Sequence, residues 1–232
     1  MTPQPVKVML IGDSLSVGPF GRALENGLVA RFGRENVCVF ASCGSSPEDW
    51  LPGKPVFTTN CGYRQTTPGG SFSREYQNGK RPPPVRTPKL SRIFAEWRPQ
   101  LLIVQLGTNW MDRLAAADRL DARPYRRDIR DFVREARRHS DPVIVWVMPP
   151  DSSKYPLRVH EAVERWIREE SIPSRFRTID SRLLTAPYRE GKTGGDGVHY
   201  GDAAGRRWAR RVLGQILLIA DSLPLAPEGA AR

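Results

Sequence analysis

A serine hydroxyl becomes a useful nucleophile when an imidazole takes its proton and a carboxylate holds the imidazole's other nitrogen as a donor. Three residues of this chain fit those roles. Ser14 stands in Gly12-Asp13-Ser14-Leu15-Ser16, directly after the apolar run Val6-Lys7-Val8-Met9-Leu10-Ile11. Such a run reads as a buried parallel strand, and ligands of open α/β sheets bind beyond the carboxyl ends of their strands. Gly12 and Gly18 allow a tight strand-to-helix turn that keeps the hydroxyl uncovered. Far downstream, Gly194-Gly195-Asp196-Gly197-Val198-His199-Tyr200 sets a carboxylate and an imidazole three residues apart in a glycine-rich loop. The chain has three histidines. His139 follows Arg137 and Arg138 at a predicted helix end, where an imidazole complements the helix dipole, and His160 falls in a polar, amphipathic stretch. Only His199 has both the nearby upstream aspartate and the glycine-rich loop.

Acyl transfer also needs hydrogen-bond donors aimed at the developing oxyanion. After the strand-like Asn36-Val37-Cys38-Val39-Phe40 comes Ala41-Ser42-Cys43-Gly44, whose glycine exposes a backbone N–H with no side chain in the way. After Leu101-Leu102-Ile103-Val104-Gln105-Leu106 comes Gly107-Thr108-Asn109, whose amide supplies another donor. With the Ser14 N–H they make a three-donor hole. Each block has a plain alternative when read alone: Gly-Asp-Ser as a turn and helix cap, Gly44 as a turn glycine, Asn109 as a cap, and Asp-x-x-His as a loop pair.

Taken in order, the four blocks resemble those of the SGNH, or GDSL-type, hydrolase superfamily. The resemblance implies that Ser14, Gly44, Asn109 and His199 are the four name-giving residues, with Asp196 completing the triad and Ser14, Gly44 and Asn109 forming the oxyanion hole. It implies a serine esterase working through an acyl-enzyme without a cofactor. Its substrate is then a small-molecule or glycan ester, preferentially a small acyl (acetyl) ester on a carbohydrate, with lipase, lysophospholipase and acyltransferase chemistry as alternatives. The long stretch between the second and third blocks departs from the family pattern and leaves the substrate side open. Trp110, next to Asn109, is the leading substrate-contact candidate, followed by Asp13 and Tyr63.

The elements that must position these residues alternate between strand and helix. Strand candidates at 6–11, 36–40, 101–106, 143–148 and 176–180 are separated by helix candidates at 19–32, 89–97, 123–139, 157–170 and 202–220. Most of the helix candidates carry apolar residues at three- and four-residue spacing. Such alternation predicts a three-layer α/β/α sandwich on a mostly parallel five-stranded sheet, and 232 residues with 39% hydrophobic content suffice for one core. The resemblance adds the flavodoxin-like strand order 2-1-3-4-5. A single domain over 1–223 is expected, with a flexible tail at 224–232. Residues 47–88 carry eight prolines and several glycines and read as a long irregular loop forming one wall of the site. Its Trp50, Phe57, Tyr63, Phe72 and Tyr76 either pack on one another or offer an aromatic surface to a sugar or acyl group.

Lysine and arginine outnumber aspartate and glutamate 36 to 25, a net charge of +11, with a pI near 10.1. This allows an anionic polymer as carrier of the ester, and it sustains a non-enzyme alternative, a basic binding module with an incidental serine. Against that alternative, the arginines lie on amphipathic helices mixed with acids, which reads as solvated helix faces, and no specific nucleic-acid signature is present. No metal site is expected, because Cys38, Cys43 and Cys61 lack paired spacing and no H-x-x-x-H occurs. A chelator should therefore leave activity intact. Cys38 belongs to a strand and reads as core. Cys43 and Cys61 lie in loops and would pair in an oxidising compartment, whereas three cysteines are as usual in a reduced one. No transmembrane segment and no hydrophobic signal region are evident. A cytoplasmic location is the default, and a periplasmic or secreted one holds if a leader was trimmed. Oligomeric state is not legible.

Overall fold

A computed structural model of the chain describes residues 6–77 and 79–222. The expected tail at 224–232 lies outside these residues. Along the chain the elements are β1 (Val8–Gly12), α1 (Ser14–Val17), α2 (Pro19–Phe32), β2 (Val37–Ser42), β3 (Thr58–Thr59), β4 (Tyr63–Thr67), β5 (Gly70–Arg74), β6 (Val85–Arg86), α3 (Leu90–Glu96), β7 (Leu101–Gln105), α4 (Trp110–Ala115), α5 (Arg123–His139), β8 (Val143–Val147), α6 (Leu157–Ser171), β9 (Arg177–Ile179), α7 (Ser181–Leu184) and α8 (Asp202–Asp221).

The main sheet runs β5-β4-β2-β1-β7-β8-β9. Its five parallel strands pair as β2-β1-β7-β8-β9, which is the expected 2-1-3-4-5 order. The expectation of five strands is corrected to seven. The added pair is an antiparallel hairpin, β4 and β5, laid against the outer edge of β2. Its strands lie inside the segment read as irregular. Tyr63-Arg64-Gln65-Thr66-Thr67 is free of proline, and Pro68-Gly69 serves as the hairpin turn rather than as a breaker. β3 and β6 form a separate two-stranded pair that brings the two ends of the segment together.

The parallel strands read as continuous apolar runs because both faces are covered. Met9, Ile11, Cys38, Phe40, Leu102, Val104, Ile144 and Trp146 face one core, under α3, α4, α5 and α6. Val8, Leu10, Val37, Val39, Leu101, Ile103, Val145 and Val147 face the other, under α2 and α8. Phe20 of α2 stacks on Trp208 of α8, ring centroids 3.5 Å apart. Cys38 is buried in the first core, as expected.

Arginines of α5 are largely compensated. Arg126 and Arg130 meet Glu170, Arg134 meets Asp131 and Arg138 meets Glu135, in line with a solvated helix face. His139 bonds Glu135 one turn back at 3.1 Å. His160 lies on the buried side of α6, 2% exposed beside Tyr155, and not on its polar face. Burial lowers its pKa, so it rests neutral in the core.

Candidate active site

All four sequence blocks emerge where the parallel strands end or in the loop that returns to them. At the end of β1, Asp13 caps α1 by accepting the Leu15 N–H at 3.0 Å. The neighbouring turn is pinned to β7, with the Asp13 N–H donating to the Gln105 carbonyl and Ser16 Oγ to Gln105 Oε1. The capping role thus belongs to Asp13, which is fully buried. Ser14, the first residue of α1, is the partly exposed position between buried Asp13 and Leu15. Among the described residues its hydroxyl and its N–H have no protein partner.

Gly44 also surfaces between buried strand and buried loop. Its φ of +84° is one that side-chain-bearing residues rarely adopt, and a Cβ there would stand 3.3 Å from the Phe57 ring. The N–H of Gly44 has no protein acceptor among the described residues. Cys43 and Cys61 form a disulfide, which resolves the alternative left open for them. With the Cys43 N–H bonded to the Gly62 carbonyl at 2.8 Å, it ties the Gly44 turn to the start of the hairpin. Asn109 precedes α4 without capping it. Its Nδ2 instead donates to the Ser45 carbonyl at 2.9 Å, which links the ends of β7 and β2.

In the last loop, Asp196 Oδ2 lies 2.5 Å from His199 Nδ1, and Asp196 Oδ1 accepts the His199 and Val198 N–H groups at 2.7 and 3.0 Å. Burial works to raise the Asp196 carboxyl, but these bonds outweigh it and hold the group below its ordinary value of 3.8. Both side chains are about half exposed, 49% for His199 and 55% for Asp196. Gly197 of the same loop is bonded to Ser152 just after β8, and Gly205, in the first turn of α8, stands against Pro19 and Phe20 at the start of α2, while burial pushes the Asp13 carboxyl up to about 6. The dyad and Ser14 therefore share one end of the sheet. His199 Nε2 bonds no other protein group among the described residues, which leaves it and the Ser14 hydroxyl free to align on a substrate.

The substrate-contact candidates are corrected. Trp110 is fully buried, its Nε1 donating to Glu48 at 3.1 Å and its ring packed edge-on to Tyr125. Tyr63 is 3% exposed between β2 and β5, its hydroxyl on Gln65. Asp13 has no exposed surface. Adjacency in sequence to a site residue places a side chain on the opposite face of a turn as readily as beside it. Within 47–88 the aromatics divide, Trp50 and Tyr63 packing inward while Phe72 and Tyr76 stay exposed.

Sequence reading missed the residues that steady the last loop. Gly197, at φ +81°, offers its carbonyl to Ser152 Oγ at 2.6 Å and to the Ser153 N–H at 3.0 Å, and Tyr188 donates its hydroxyl to the His199 carbonyl at 3.0 Å. Asp151 accepts the Tyr188 N–H at 2.7 Å. The available signal was positional, since Asp151-Ser152-Ser153 follows β8 at the same sheet edge as the other blocks.

A cavity of about 410 Å³ beside Arg130, Arg134 and Arg137 sits toward the carboxyl end of α5. That helix end leads into the amino end of β8, so the cavity lies at the opposite edge from Ser14.

No family model matches the chain, and no curated protein matches it. Solved structures do. A peptidoglycan O-acetylesterase superposes with a TM-score of 0.60 at 14% identity, covering 94% of this chain and 92% of that one. TesA gives 0.59 at 16% identity, over 90% and 97%. A carbohydrate esterase family 3 protein from Talaromyces cellulolyticus gives 0.59 at 12% identity, over 94% and 100%. At such identities the likeness establishes a shared fold that extends over nearly the whole of each chain.

Proposed function

We propose that this chain, which has the SGNH-hydrolase fold, is a serine esterase with Ser14 as nucleophile, His199 as general base and Asp196 as the carboxylate that orients it. The observation that carries the reading is the Asp196–His199 pair, bonded and half exposed at the sheet edge where Ser14 begins a helix with its hydroxyl and N–H unengaged. Similarity to esterases acting on peptidoglycan and carbohydrate supports an acetyl ester on a glycan as the substrate.

In the reaction, Ser14 Oγ bonds to the ester carbonyl carbon while its proton passes to His199 Nε2 and the carbonyl electrons move to oxygen. Asp196 keeps Nδ1 protonated and stabilises the imidazolium. The Ser14 N–H, the Gly44 N–H and the Asn109 amide receive the oxyanion. Collapse breaks the bond to the alcohol oxygen, which takes the proton from His199, and the acyl group stays on Ser14. Water, deprotonated by the same imidazole, attacks the acyl-enzyme and releases the acid.

Hydrolysis of p-nitrophenyl acetate by wild type, Ser14→Ala and Asn109→Ala tests this. Ser14→Ala should abolish turnover while the circular-dichroism spectrum is kept. Asn109→Ala should lower kcat by about 10²- to 10³-fold with a smaller change in KM. Turnover that survives in folded Ser14→Ala would overturn the reading.

A further inference from the structure

The hairpin segment encloses a cavity of about 740 Å³ that the ester chemistry does not use. Arg22, Arg74, Lys80 and Arg81 line it, together with Glu75 and Tyr76. Glu75 is ion-paired to Arg22. Among the described residues, Arg74, Lys80 and Arg81 have no carboxylate within ion-pair distance, in contrast to the paired arginines of α5. Three uncompensated cations around a concave wall focus a positive potential there.

Strand register places this cavity relative to Ser14. Ser42, the last residue of β2, lies opposite Tyr63, and Tyr63 lies opposite Arg74. Arg74 therefore stands at the same carboxyl edge as the four site blocks, with residues 75–77 next along the chain. With adjacent strands about 4.8 Å apart, the three spacings from β1 to β5 put the cavity roughly 15 Å from the nucleophile's strand. The wall is continuous, because Val17 of α1 and the Arg74 carbonyl both lie within 4 Å of where a Gly62 Cβ would stand.

We infer that this cavity is a subsite for a carboxylate-bearing glycan, seating acid groups of the same chain whose ester Ser14 attacks; the inference rests on the esterase reading. Guanidinium forks match carboxylates two bonds at a time, and the exposed Tyr76 ring, 47% accessible, offers a flat face to a sugar. A single-stranded nucleic acid would need a row of open rings for base stacking. Here Tyr76 is the one ring that lines the cavity among the described residues, and the exposed Phe72 already carries the Arg74 guanidinium over its face, 4.6 Å from its centroid.

The test compares wild type with the triple variant Arg74→Ala/Lys80→Ala/Arg81→Ala on O-acetylated polygalacturonate, O-acetylated mannan and p-nitrophenyl acetate. The variant should lose about tenfold or more in kcat/KM on the acidic polymer, mainly through KM, and stay within about twofold on the neutral substrates. About 0.5 M salt should erase most of the wild-type advantage. An equal change on all three substrates, or none on the acidic polymer, overturns the subsite. Calorimetric binding of unacetylated polygalacturonate to Ser14→Ala, with and without the triple substitution, reads the subsite independently of turnover. Binding that disappears in the triple variant supports the subsite even if no ester is cleaved, in which case the esterase reading alone fails. Ser14-dependent esterase activity without such binding, or tighter binding of polyuridylate, sinks the subsite and leaves the esterase.

Discussion

Asp13 is a carboxyl with no exposed surface one residue before Ser14, and its protonation is a statement about stability. Burial raises its pKa from 3.8 to about 6, against the hydrogen bond from the Leu15 N–H. The folded state thus binds this proton more tightly than the unfolded chain, so between roughly pH 4 and 6 the contribution of Asp13 to stability falls as pH rises. Asp13→Asn keeps an oxygen for the Leu15 N–H and removes the buried charge. It should leave stability unchanged below about pH 4 and raise it by roughly 3 kcal/mol above pH 6. Urea midpoints of both proteins from pH 4 to 8 check this, and a pH-independent difference would count against it. Trp110 behaves differently from its expected role. As a core side chain, Trp110→Ala should cost about 3–5 kcal/mol of stability with little change in KM measured at a temperature where the variant is folded.

At the scale of elements, the site is assembled by loops that grip one another. The loop after β8 holds the Gly197 carbonyl, and Gly197 takes a positive φ between Asp196 and His199. A Cβ at Gly197 would lie 3.1 Å from the Lys154 backbone N. Gly197→Ala should therefore cost about 1–2 kcal/mol in backbone strain and lower kcat more than it raises KM, as steady-state kinetics beside a melting curve would reveal. The hairpin is fastened in a comparable way. Arg64 of β4 is paired with Glu25 of α2 and donates to the Ser16 carbonyl at 2.9 Å, joining the added strands to the two helices that begin at Ser14 and Pro19. Both partners are largely buried, so removing one leaves the other without compensation.

For the whole molecule, the sheet separates two hydrophobic cores. Trp208 belongs to the core under α2 and α8, Phe132 to the core under α5. Trp208→Ala and Phe132→Ala should each cost about 3–5 kcal/mol, and the double variant should equal their sum within about 0.5 kcal/mol. Chemical denaturation of the three variants measures this, and a clear departure would mean that strain passes through the sheet. The net charge of +11 is unevenly compensated. Most arginines of α5 find acids one turn away or across a helix interface, whereas Arg74, Lys80 and Arg81 around the hairpin cavity find none among the described residues.

The sequence by itself determined the parallel strands, their flanking helices and the four blocks at the strand ends. Those features are written in local order: continuous apolar runs, three- and four-residue spacing, and glycines where a turn must follow a strand. The helices at 19–32 and 123–139 coincide with α2 and α5 residue for residue. Only the tertiary structure decided that Tyr63 to Arg74 pairs as a hairpin, that Cys43 meets Cys61, that Trp110 and Tyr63 turn inward, and that Ser152 and Tyr188 hold the last loop. Each of these depends on which distant segment arrives as a neighbour, and neither residue type nor spacing carries that choice, because strand pairing and close packing are settled between surfaces brought together from far along the chain.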